Sequence, residues 1–210
     1  MYVLKYKKSL AVSLGMVLFF CSLASAMMKM PPARYTVLIN NDIRHSDENF
    51  LANRLEMSFS KELNSKVIAK FSPFVEYRSS LRRHKRERVS LGAQAGLDFF
   101  GYFYAAEELR QTWRSEPVYN RGIIKNINMT EALSILKLSF PLLPKRDIKG
   151  YISGEYTYDF RFGRGTRVEA IAGMLIPVGK SWEANAAWRH RDRIHADDCD
   201  TLEAGITYIF

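Results

Sequence analysis

RERVSLGAQAGLDFF, residues 86–100, changes character at every second position. Val89, Leu91, Ala93, Ala95, Leu97 and Phe99 fall on one face of an extended chain. Arg88, Ser90, Gly92, Gln94, Gly96 and Asp98 fall on the other. A period of two held through a whole segment predicts a β-strand with one apolar and one polar face.

Segments on both sides repeat the pattern. Tyr35, Val37 and Ile39 alternate with Thr36, Asn40 and Asp42; Leu51, Leu55 and Met57 alternate with Arg54, Glu56 and Ser58. Val67, Ala69, Phe71, Val75 and Tyr77 stand against Lys70, Ser72, Glu76 and Arg78. Further on, Leu136, Leu138 and Phe140 oppose Lys137 and Ser139, and Ile152, Tyr156 and Tyr158 oppose Lys149, Glu155 and Asp159. Val168, Ala170, Ala172 and Met174 oppose Arg167 and Glu169; Trp182, Ala184, Ala186 and Trp188 oppose Glu183, Asn185, Arg189 and Arg191. In GYFYAAEELRQTW the adjacent Glu107 and Glu108 break the alternation, and a bulge near Ala105-Ala106 is expected to absorb the conflict. With TLEAGITYIF the set predicts about ten strands, with eight or twelve as the neighbouring even counts.

The connectors also alternate. NSK, FG, LPKRD and GK join strands on one side; SDEN, SSLRRHK, SEPVYNRGIIKNINM, GR and DRIHADDCD join them on the other. Short turns at one end and longer loops at the other are the asymmetry of a transmembrane barrel. Only GR departs from it.

The first residues read as an export signal. Lys5, Lys7 and Lys8 precede an apolar run that ends in Ala24-Ser25-Ala26, the layout of a signal peptide with a small-residue cleavage site. Residues 1–26 are expected to be removed, leaving 27–210 as one barrel domain. The run from Ser9 to Ala26 is short for a membrane anchor. Phe20 before Cys21 does not suit a lipid-attachment site. Removing three lysines takes 31 basic residues to 28 against 22 acidic, a net +6. Cys199 then stands alone, so no internal disulfide is expected. No cofactor or metal site is predicted.

A soluble periplasmic β-sandwich would alternate in the same way, with its apolar face inward. The export signal and the aromatic residues near strand ends, among them Tyr35, Tyr77, Phe99, Trp113, Phe140, Trp182 and Tyr208, favour the barrel, whose interfaces take such girdles. TLEAGITYIF also resembles the C-terminal insertion signal of bacterial outer-membrane β-barrel proteins, in Leu202, Ala204, Ile206, Tyr208 and the final Phe210. The resemblance implies a Gram-negative outer-membrane location and recognition of Tyr208 and Phe210 by the barrel-insertion machinery. More loosely, GEYTYDF followed by a strand-turn-strand pair resembles a family of uncharacterised small outer-membrane barrels.

With the polar face inward, the lumen is expected to hold Arg54, Glu56, Glu76, Arg78, Arg88, Asp98, Glu155, Asp159, Arg161, Arg167, Glu169, Glu183 and Arg189. Opposite charges two apart, as in Glu108/Arg110, share a face. Ten strands enclose a space that side chains can fill, and near-balanced charge predicts a closed, ion-paired lumen rather than an open pore of one sign. A non-enzymatic, monomeric outer-membrane barrel is the resulting expectation. Its partners are outer-membrane lipids and lipopolysaccharide, and nucleic acid is excluded by export. Arg82, Arg83, Lys85 and Arg86 would grip lipid phosphates. The alternative is a small outer-membrane enzyme, a lipid A-modifying hydrolase or rim protease, with His190 as general base oriented by Asp192 or Asp42.

Overall fold

The computed structural model describes residues 32–42, 49–81, 87–114, 118–120, 123–125, 128–194 and 198–210. Ten strands account for almost all of them. They are β1 (Ala33–Asp42), β2 (Phe50–Met57 and Phe59–Asn64), β3 (Val67–Ser80), β4 (Glu87–Phe99) and β5 (Phe103–Arg114). The second half contains β6 (Met129–Leu143), β7 (Ile148–Asp159), β8 (Arg164–Val178), β9 (Trp182–Arg193) and β10 (Cys199–Ile209). Each is antiparallel to the next in sequence. β1 also pairs with β10, from Arg34 opposite Ile209 to Asp42 opposite Thr201. The sheet is therefore a closed up-and-down barrel, and closure supplies partners for backbone groups that an edge strand would leave bare.

β2 is interrupted at Ser58 because β1 runs out beside it: the Ser58 amide bonds to the Pro32 carbonyl. The second piece continues on β3 alone, with Phe59 opposite Phe71. The turns at 65–66, 100–102, 144–147 and 179–181 mark one end of the barrel, which we call the inner end. Phe100 and Gly101 hold φ of 59° and 72°, and Asp98 Oδ1 accepts the Gly101 amide at 3.0 Å, which fixes that tight turn. The outer connector between β5 and β6 carries a small hairpin, Val118–Asn120 with Ile123–Lys125.

No bulge occurs at Ala105-Ala106. The register of β5 is unbroken against both β4 and β6. The Glu107–Glu108 conflict is resolved by side: Glu108 is buried inside and Glu107 is exposed outside.

Exposure settles which face is which. Leu91, Leu136 and Leu202 are 54%, 56% and 53% exposed, whereas Asn40, Thr157 and Thr201 are fully buried. Apolar residues thus coat the outside and polar ones fill the inside, the reverse of a sandwich or any soluble fold. A continuous exposed apolar surface of this kind suits hydrocarbon, not water. Aromatic residues border it. Phe99 packs on Phe103 and Trp182 on Tyr208 toward the inner end, with centroids 5.9 and 4.7 Å apart. Tyr158 and Phe160 meet edge-to-face at 5.3 Å toward the outer end.

The inner face is not uniformly polar. Tyr151, Ile171 and Ala187 form a small buried apolar cluster with Leu175 against it. Phe74 and Leu133 are also buried. Glycines make room for two of the rings. Gly92 lies opposite Phe74 and Gly173 opposite Tyr151. A methyl group placed on Gly92 would stand 2.5 Å from the Phe74 ring, and one on Gly173 2.7 Å from Tyr151.

Candidate functional site: the lumen and the outer rim

Two sets of charges fill the lumen. In the first, Arg54 on β2 crosses over the Phe74 ring, its guanidinium 3.6 Å from the centroid. It reaches Glu108 on β5 at 3.1 Å and Glu56 on its own strand at 2.9 Å. Glu76 pairs with Arg78, and Glu108 also pairs with Arg110. Gly92 on the intervening β4 is what lets Phe74 lie flat enough to carry the guanidinium.

The second set centres on Arg189 of β9. Its guanidinium holds Glu155 of β7 at 2.9 Å, Glu203 of β10 at 2.7 Å, and Glu169 of β8. Glu169 is also held by Arg191, and Arg167 Nε lies 3.6 Å from it. Arg167 donates to the Thr157 hydroxyl at 3.0 Å. Asn40 on β1 donates to Glu203 at 3.0 Å and to Thr201 at 3.3 Å. Glu131, buried on β6, stands in register with Arg110 of β5 and Asp159 of β7. The polar belt therefore draws on most of the wall. A charge held away from water needs such partners, since an isolated one is costly.

The remaining expected lumen residues sit apart from this belt. Asp98 is bonded to Lys70 at 2.6 Å toward the inner end. Glu183 is in register with Pro177 and Thr207. Arg88 stands opposite Arg78 and Arg114. Arg161 lies on the exposed turn after β7 and clasps Asp159 at 2.6 Å. Charge patterning did not single out Asn40, Thr157 and Thr201. Their only sequence signal is strand parity, which places them on the same face as the arginines.

At the outer rim, His190 belongs to the outward face of β9, with Trp188. Its ring stacks on Trp188 at 6.0 Å, and Nδ1 lies 2.9 Å from Asp200 Oδ1 of β10. Asp200 holds the imidazole, a carboxylate that the sequence reading did not name beside Asp192 and Asp42. The reason is register, since His190 and Asp200 are direct antiparallel partners. Asp192 is exposed, and the side chain of Asp42 lies outside the described residues, as do Arg82, Arg83, Lys85 and Arg86. Among the described residues, no group of histidine, cysteine and acidic side chains could hold a metal ion.

No family model and no curated protein matches the chain. Solved structures that resemble it include the NanC porin, at 6% identity and a TM-score of 0.47, covering 85% of this chain and 98% of that one. The KdgM porin gives 10% and 0.46, covering 85% and 99%. The translocator domain of the autotransporter NalP from Neisseria meningitidis gives 12% and 0.43, covering 97% and 98%. The class of this protein rests on its own register and exposure: a closed ten-stranded barrel, apolar outside and charged inside, is a transmembrane β-barrel.

Proposed function

We propose that this chain is an integral, non-enzymatic barrel of the Gram-negative outer membrane whose lumen is sealed, exported by cleavage after residue 26. The belt around Arg54 and Arg189 carries the reading. A conducting pore keeps binding along its path weak enough for ions to leave, whereas these guanidiniums are each shared among several carboxylates. Reconstitution into planar bilayers tests it. The folded protein is expected to give no stable unitary steps, and the double variant Arg54→Ala, Arg189→Ala is expected to give resolvable ones. Steady conductance from the unaltered protein would overturn the sealed lumen. Membrane fractionation tests the location.

Within this reading, Arg82, Arg83, Lys85 and Arg86 contact lipopolysaccharide phosphates, and changing all four to alanine weakens lipopolysaccharide binding to the purified barrel. Tyr208 and Phe210, packed edge-to-face at 4.8 Å, are the residues the insertion machinery engages; Phe210→Ala then slows insertion.

The His190–Asp200 contact favours a second reading, a lipid-modifying enzyme. With Nδ1 on a carboxylate, the other ring nitrogen is left to accept a proton. Lipid A or peptide turnover that disappears in His190→Ala would establish this reading in place of the first.

A further inference from the structure

The outer wall between β5 and β6 differs from the rest of the apolar coat. Three successive outward rungs are Glu107 opposite Ser134, Leu109 opposite Ala132, and Gln111 opposite Thr130. Thr130 Oγ1 and Gln111 Oε1 are hydrogen-bonded on this face. Other outward carboxylates, Glu87, Asp192 and Asp200, sit at or next to the outer ends of their strands. Glu107 does not. On its own strand it lies between Phe103 and Trp113, the two aromatic ends of the outward face. Among the described residues its carboxylate makes no ion pair. A charge at that depth against hydrocarbon is unfavourable.

The neighbouring positions are small. Ala95 lies beside Glu107 and Ala93 beside Leu109 on β4, which lets another surface approach closely. In a membrane, two copies share one orientation, so a two-fold axis between them must run along the membrane normal. Such an axis through the β5–β6 boundary sets β5 of one copy against β6 of the other at equal height. Each Glu107 then faces a Ser134 hydroxyl, and each Gln111 amide faces a Thr130 hydroxyl. The seam is self-complementary in donors and acceptors.

We propose that this wall is where a second copy of the chain docks, making the protein a two-fold dimer through Glu107, Leu109, Gln111, Thr130, Ala132 and Ser134. It departs from the monomer expected from sequence, and it holds whether the lumen is sealed or conducting.

Cross-linking in native membranes tests it, in a Cys199→Ser background to remove the lumenal thiol. Leu109→Cys and Ala132→Cys are compared with Ile206→Cys on β10. Each variant is first judged folded by its heat-modifiable migration. The expected result is a dimer band at least ten-fold stronger for the two seam variants than for Ile206→Cys, and weakened when Glu107→Leu is added. Equal or absent cross-links would overturn the proposal. So would a Glu107→Leu variant that leaves cross-linking unchanged while raising resistance to urea, the behaviour of a residue that faces lipid.

Discussion

One guanidinium at Arg189 serves three carboxylates, and that ratio sets what its loss should do. Replacing it with methionine leaves Glu155, Glu169 and Glu203 without their shared cation. Breaking a buried pair in this way costs about 3–5 kcal/mol. Urea unfolding in lipid vesicles should read a loss of that size for Arg189→Met, and adding Glu155→Gln, which removes a carboxylate left without a cation, should recover part of it. Arg161 stands on an exposed turn, yet the carboxylate it grips, Asp159, is almost fully buried, so Arg161→Ala strands a buried charge and should cost more than the roughly 0–1 kcal/mol of a surface pair. The side most charged residues face was legible from alternation, the adjacent Glu107 and Glu108 apart. The partners were not: Arg54 reaches Glu108 across two intervening strands, a contact that depends on barrel curvature and on the flat Phe74 ring beneath it. His190 shows the same gap, because its carboxylate is chosen by the β9–β10 register, which the sequence does not display.

At the level of the strand, alternation is readable because each face meets a different medium. Where both faces make unusual demands, the reading fails. Two adjacent glutamates in β5 meant that one had to break the alternation unless a bulge absorbed the conflict. The strand instead keeps its register and sends Glu107 outward. Inward glycines were equally opaque in sequence. Gly92 reads as a weak polar-face residue until Phe74 is seen opposite it. Its replacement by alanine would press a methyl group against that ring and the Leu109 carbonyl. Overpacking of this kind costs about 1–3 kcal/mol. Gly92→Ala should lower the urea midpoint accordingly, and the double variant Gly92→Ala, Phe74→Leu should lose less than Gly92→Ala alone.

For the molecule as a whole, the even strand count and the uneven connector lengths were visible in the sequence, because turn chemistry is local. Closure was expected from the barrel pattern as a whole and not from any local signal pairing the first strand with the last; the β1–β10 register bears it out. Its practical sign is resistance to detergent. A closed hydrogen-bonded wall should migrate faster on gels before boiling than after, and a single mobility at both temperatures would argue against the barrel. The β1–β10 seam, Arg34 with Ile209 through Asp42 with Thr201, has a kinetic consequence. Contacts this distant along the chain are slow to form, because the entropy of bringing the ends together must be met before they contribute. Folding should therefore finish at this seam, and a chain caught before it forms carries two unpaired borders, one at each flank of an otherwise assembled sheet.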